Sequence, residues 1–438
     1  MAGQAVSAGA SQVGFRPASS DGRSASGLDA VNFLLADVRG ALGPYLNVFL
    51  VTQQHWSQTE VGWVTTAGGL LGLAAQTPIG AAIDATRAKR GAVVLALAVL
   101  AVGAATIFAA PSFWPVLVAN TLMAVVGDVF GPAVSALTLG LVPRAALARR
   151  LGRNAAFDHA GNVAIAAAAG AIGYFFFQRA VFLMVPFFAA LAGAAVLSIP
   201  AQAIDEDRAR GLDHKTAQAG GTAQAEGGGP SGYGVLLRHR PLVTFALCAM
   251  LFHFANAPLL PLVGQKLALS HPAWATAMMS SCIIAAQFIM LPVALAVGRT
   301  ADRLGRKPIL LLGFAVLPVR AVLYTLSDDA AWLIGVQLLD GVGAGIFGAI
   351  TPLVIADLMR GTGRYNVAQG AVATVQGLGA SLSGLAAGVI VDHFGYSAVF
   401  LTSGAVACAA LAALFLAMPE TAPGRRGDTL AAEASTVG

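Results

Sequence analysis

Twelve apolar stretches follow one another along this chain, separated by short polar loops. Each holds roughly the ~20 residues that an α-helix needs to cross a hydrocarbon layer. In such a layer every backbone N–H and C=O has to find a partner inside its own segment, which makes the helix the natural form of each stretch. The bulk composition agrees. Hydrophobic residues make up 57% of the chain and charged residues 11%, against about a quarter charged in soluble domains. Mean hydropathy is +0.74. The 51 glycines and the long alanine runs supply small surfaces on which membrane helices approach closely. These features predict an all-α integral membrane protein.

The basic residues orient it. A pI of 9.4 would suit a nucleic-acid binder, but the bases are sorted by side and not gathered for nucleic acid. With the spans placed as below, 22 of the 26 Lys and Arg fall on one side of the membrane. Arg179 and Lys266 fall on the other, and Arg39 and Arg320 lie within spans. Bases collect on the cytoplasmic side, so both termini are expected in the cytoplasm and the spans in the cell membrane. Cys248, Cys282 and Cys408 are scattered through separate spans without ligand spacing, and read as small core residues.

Residues 1–28 are rich in Ser, Ala and Gly and read as a disordered cytoplasmic tail. Spans at about 29–51, 58–83, 91–110, 113–138, 159–177 and 180–200 make a first bundle, 29–200. Residues 201–240, charged at first and then rich in Gly, Ala and Gln, form a cytoplasmic linker. A second bundle, 241–418, has spans at about 241–263, 274–297, 308–326, 331–356, 367–391 and 397–418, before a tail at 419–438.

One polar loop occurs twice. Gly298-Arg299-Thr300-Ala301-Asp302-Arg303-Leu304-Gly305-Arg306-Lys307 joins spans 8 and 9, and a weaker copy, Gly80 to Arg90, joins spans 2 and 3. Asp84 and Asp302 stand 218 residues apart, nearly half of the 438, as an internal repeat of six helices requires. With these loops, the six-plus-six spans and the linker in place, the chain resembles the major facilitator superfamily. Gly298 to Lys307 matches that family's signature G-x-x-x-D-R-x-G-R-K at every fixed position. In the first copy Arg87 stands where the signature has Gly, and Ala85 and Ala88 replace flanking bases. Pro419-Glu420-Thr421 after the last span is also common in the family.

The resemblance implies two pseudo-symmetric six-helix bundles and a monomeric secondary transporter in the lipid bilayer, with no enzyme activity and no cofactor. Subfamily marks are missing. Asn120 and Met123 occupy the part of span 4 where many proton-coupled members carry Arg, and span 5, with Gly161, Gly170 and Gly173, lacks the Gly-Pro pair of drug/proton antiporters. The sugar-porter set is absent apart from Pro-Glu-Thr.

In that family spans 1, 4, 7 and 10 line the cavity, and here each carries an ionisable group: Asp37 with Arg39, Asp128, His253 and Asp340. A charge in the bilayer costs at least ~2.5–3.5 kcal/mol on insertion scales and usually serves function. Proton coupling or substrate contact is therefore expected of these residues, with Asn47, Asn256 and Gln337 beside them. Asp37 lies about eight residues into span 1, some ~12 Å along its axis, on a face with Gly40, Ala41, Pro44 and Asn47. It is the first candidate for the proton site, with Asp340 and Asp128 as alternatives. For each acid the competing reading is a hydrogen bond between helices, and for His253 a buried, bonded imidazole. Arg320, near the outer end of span 9, is expected to snorkel to the interface.

Gating is expected of the repeated loop, through Gly298, Asp302, Arg303, Gly305, Arg306 and Lys307, and through Asp84 and Arg87 in the weak copy. Spans 5 and 11 begin at the same face, after Gly152-Arg153-Asn154 and Gly363-Arg364-Tyr365-Asn366, with their positive dipole ends there. A crossed pairing follows: Asp84 with Arg364 and the start of span 11, Asp302 with Arg153 and the start of span 5. It would close the inner side when the carrier faces outward. The function expected is proton-coupled efflux of a small organic molecule. Proton-linked import of a nutrient and a non-transporting receptor are the alternatives. No nucleophile–base constellation or metal-ligand cluster suggests an enzyme.

Overall fold

Most helices begin and end close to where the apolar stretches do. The fifth begins at Arg144, about four turns before its expected start, so Gly152-Arg153-Asn154 lies inside it and not ahead of it. The computed structural model describes residues 22–36, 43–209, 238–360, 362 and 364–422, and its regular elements there are all helical. The first span, α1, comes in two pieces, Gly22–Leu35 and Gly43–Thr52. It is followed by α2 (Gln58–Ala85) and α3 (Lys89–Ala109). Next, α4 is Phe113–Gly127 continued by Phe130–Leu141, α5 is Arg144–Phe175, and α6 is a 3-10 turn, Gln178–Leu183, leading into Met184–Ser198. In the second half α7 is Arg240–Asn256 and Leu259–Ser270, α8 Ala275–Leu304, α9 Arg306–Leu326 and α10 Ala330–Leu358. The helical run Tyr365–Ala417 turns back at Gly395, where φ is 80°, a left-handed backbone that favours glycine. It supplies α11 before that residue and α12 after it.

Among the described residues, eight helical stretches are long and apolar enough to cross a membrane on those grounds alone, the last holding both α11 and α12. The other three spans, α1, α2 and α5, pack among them. The sequence hid the start of α1, which begins at Gly22, inside the stretch expected to be a tail. Leu28, Val31 and Leu35 recur on one face and are at most 3% exposed, the helical spacing of a packed face. Pro44 at the second position of the second piece suits a helix start. The linker also begins in contact with the first bundle: Asp205 N donates to the Gly140 carbonyl at 3.1 Å, and Ala209 is buried.

Each half has its own core. Helices α3, α6, α9 and α12 turn large apolar residues outward, among them Leu95, Phe187, Leu312 and Leu416. Cys248 and Cys282 are buried as expected, whereas Cys408 is exposed on α12. Lipid is as apolar as a protein core, so composition could not tell the two environments apart.

The halves meet through α2 against α11, α5 against α8 and the second pieces of α1 and α7. A Cβ on Gly62 would lie 2.7 Å from Leu385 Cα, and one on Gly388 would run into the Gln58 carbonyl. The backbones there are too close for anything larger than glycine.

Candidate functional site

A buried, connected polar group lies inside the second half. Arg320 on α9 donates through Nη1 to Asp340 Oδ1 on α10 and through Nη2 to Asn256 Oδ1 on α7, the latter at 2.5 Å. Gln337 Nε2 donates to Asp340 Oδ2 at 3.0 Å, and the Tyr324 hydroxyl donates to Gln337 Oε1. Arg320 is 2% exposed. It does not snorkel: its helix face turns to α10, where Asp340 offers a counter-charge, and a buried ion persists only when paired and hydrogen-bonded. Beside this network is a cavity of about 210 Å³, lined among others by Phe252, His253, Asn256, Asp340 and Phe347. Phe252 and Phe347 stack with centroids 5.3 Å apart, and His253 Nδ1 donates to the Ala249 carbonyl at 2.9 Å. His253 is thus a bonded imidazole that also lines the cavity.

The first half houses its charge differently. Asp128 sits at the break in α4, half-buried, with Oδ2 toward Gly72 of α2. Among the described residues it has no hydrogen bond or ion pair. Asn47 lines a second cavity, of about 120 Å³, with Gln58, Thr65, Gln265 and Ser381, and its Oδ1 is buried there without a partner among the described residues. Asp37 and Arg39 lie outside the described residues. The structure therefore gathers Asn256, Gln337 and Asp340, with His253 at the rim, and places Asp128 and Asn47 elsewhere. Sequence reasoning missed Arg320 and Tyr324 as their partners. The available signal was an unmatched Arg and an unmatched Asp within consecutive spans.

One face of the molecule holds most of the bases, and the halves are joined away from it. Asp392 of α11 accepts from Gln58 N and Thr59 N of α2 at 3.0 and 2.7 Å. Deeper, Thr66 Oγ1 donates to the Ser381 carbonyl at 2.7 Å, and Tyr45 and Ser280 share a hydrogen bond of 2.8 Å. Between α5 and α8, Tyr174 and Trp274 rings lie 4.6 Å apart, and His159 meets Gln287 at 3.0 Å near mid-span.

At the base-rich face the gating residues are apart. Asp84 and Arg87 are exposed. The Asp302 side chain, 89% exposed, accepts from Arg306 Nη1 at 2.6 Å, and Arg306 Nε also donates to Asp357 at 3.0 Å. Glu420, of the Pro-Glu-Thr triplet, accepts from Arg306 N and Lys307 N and so caps α9. Gly305 adopts φ 94°, which explains glycine there, while nothing crowds Gly298. Arg153 is bound to Asp29 at 2.6 Å, and Arg364 precedes α11 with Nη1 buried. Neither crossed pair is formed. The contacts that join the halves thus lie away from the base-rich face, and the pairs expected to close that face are not formed.

The Major Facilitator Superfamily profile matches residues 28–294 and 284–437. The chain belongs to that superfamily. It is 51% identical over 402 residues to the uncharacterized MFS-type transporter Rv2456c of Mycobacterium tuberculosis, covering 91% of this chain and 94% of that one. A shorter match, 30% over 146 residues, links 32% of it to 28% of the methyl viologen resistance protein SmvA of Salmonella typhimurium. Its fold resembles the nucleoside transporter NupG with a TM-score of 0.70 over 90% of this chain and 98% of that one, at 12% identity. This superfamily member is therefore a multi-pass integral membrane transporter and not an enzyme.

Proposed function

We propose that this chain is a proton-coupled exporter of small organic molecules. It works by alternating access in the cell membrane, with its base-rich face and both termini in the cytoplasm. The observation that carries the coupling is the unequal housing of intramembrane acids. Asp340 already has Arg320 as counter-ion, whereas Asp128 has none among the described residues. We assign the proton to the first half, to Asp128 or to Asp37, which lies outside the described residues. Efflux is favoured by the likeness to SmvA, and by an apolar, aromatic wall around the second-half cavity.

The helix registers support the crossed latch as the device of the outward-facing state. Thr66 faces Ser381 and Leu73 faces Gly377 in the antiparallel α2–α11 pair. Carrying those registers on to Asp84 reaches residues 363–366, the start of α11. In α5–α8, Gly173 faces Thr276 and His159 faces Gln287, and carrying them on to Asp302 reaches residues 144–147, the start of α5. Rocking the halves about their joined ends would bring each acid to the positive end of the facing helix.

The test is transport by purified protein in liposomes, over a compound panel that begins with methyl viologen. Asp37→Asn and Asp128→Asn are compared with wild type, with and without a pH gradient. One of the two should lose gradient-driven accumulation while keeping counterflow. Full accumulation in both variants moves coupling away from the first half.

A further inference from the structure

Asp392 belongs to the second half, yet its carboxylate lies over the first turn of α2 in the first half. Oδ1 accepts from Gln58 N at 3.0 Å, and Oδ2 accepts from Thr59 N at 2.7 Å and from Thr59 Oγ1 at 2.6 Å. Just past the turn, the Tyr396 hydroxyl accepts from Gln58 Nε2 at 2.9 Å. The opening N–H groups of a helix have no carbonyl partner within it and carry its positive dipole end. Yet α2 does not need Asp392 for local capping. Ser57 N donates to Glu60 Oε2 at 2.9 Å and Glu60 N to Ser57 Oγ at 3.2 Å, a complete capping box. The two N–H groups left over, on Gln58 and Thr59, are those that Asp392 takes from across the molecule.

We infer that Asp392 is a positioning residue of the transport cycle, the latch that holds the halves together at the base-poor face while the base-rich face is open. The inference takes the cycle from the alternating-access reading above; the contact itself is independent of it. α2 and α11 run antiparallel, and each carries an acid near its C-terminal end, Asp84 on α2 and Asp392 on α11. Asp392 caps α2 in the state seen here, and the register aims Asp84 at the start of α11 in the other state. One helix pair thus carries a carboxylate latch for both states. The α5–α8 pair has Asp302 at the base-rich end, but its other end is held by aromatic packing and by Gln178 Nε2 donating to the Pro272 carbonyl at 3.5 Å.

The test uses full-length protein in lipid nanodiscs, with Cys248, Cys282 and Cys408 replaced by Ala. Spin labels at Gln53→Cys and Ser397→Cys span the latch, and labels at Ala85→Cys and Gln369→Cys span the opposite gate; all four positions are exposed. Asp392→Asn keeps the shape and removes the charge. It should raise the population with the latch side wide by about tenfold relative to wild type, with the opposite pair narrowing in step, and Asp392→Glu should restore part of the shift. No change in either pair for Asp392→Asn and Asp392→Ala overturns the inference, and so does widening of both pairs together, the mark of a merely structural residue. If Asp392→Ala does not fold, Thr59→Val, which removes one of the three bonds, takes its place with a smaller shift of the same sign. The readout needs no substrate, so a failed transport assay leaves this result standing on its own.

Discussion

In the second half Asp340 meets Arg320, Gln337 and, through the guanidinium, Asn256, so that the deepest charges cancel within one bundle. In the first half Asp128 has no such partner among the described residues, and its bundle spends its ion pairs at the rim, where Arg150 and Arg153 clasp Asp29. The loops follow the same division. Arg306 is packed between Asp302 and Asp357, with Glu420 on the helix start, whereas Arg87 of the degraded copy is exposed. There Lys89 takes over, buried and bound to Glu206 at 3.0 Å. The duplicated plan was kept while the electrostatics diverged. One half became a braced frame, whereas in the other Asp128 stands without an ion pair among the described residues.

The largest test of that contrast is truncation of the two acids. Asp340→Ala leaves Arg320 buried without a counter-charge, and breaking a buried pair costs about 3–5 kcal/mol. Arg320→Met with Asp340→Leu should recover most of the loss, because both charges leave together. Asp128→Ala should cost less than about 0.5 kcal/mol or stabilise slightly, since it removes a half-buried carboxylate that has no partner among the described residues. Unfolding in mixed micelles measures all three. Equal losses at Asp340 and Asp128 would erase the distinction between the halves.

The loops supply the next contrast. Arg306→Ala removes the Nε bond to Asp357, whose side chain is 8% exposed and which keeps only Arg360 at 3.2 Å, and should cost about 1.5–3 kcal/mol, as charged hydrogen bonds do. Arg87→Ala, on an exposed side chain, should stay within about 0.5 kcal/mol. The same unfolding measurement decides, and a reversed order would make the degraded copy the structural one.

What the sequence made legible follows from what kind of signal each feature leaves. Twelve apolar stretches and a repeated ten-residue loop are local patterns, so the helices and the duplication could be read directly. Arg320 could not be placed because its span is apolar on every side, and periodicity then gives no helix rotation. Its partner Asp340, though named, was paired with nothing for the same reason. Asp392 fell just past the expected end of span 11, where an acid reads as a loop charge; only the approach of α2 shows what it caps. Glu420 was visible as part of a family triplet, but its role as cap of α9 depends on how α12 ends.

The smallest expected effect bears on which residue the base-rich latch uses. Asp29 is 10% exposed and is held by Arg150 at 2.8 Å, itself 8% exposed, and by Arg153 at 2.6 Å, which is 58% exposed. Removing the outer arginine leaves the inner one in place, so Arg153→Ala should change stability very little, as an exposed, solvent-screened pair does. The α5–α8 register brings Asp302 to residues 144–147, about two turns short of Arg153. Arg153→Ala should therefore leave the distance between labels on Ala85→Cys and Gln369→Cys unchanged, while Asp302→Asn shifts it toward the open state. Equal shifts in the two variants would mean that Arg153 leaves Asp29 to join Asp302 in the other state. The Asp29 pair would then be its resting place, and the first half would no longer be the passive side of that latch.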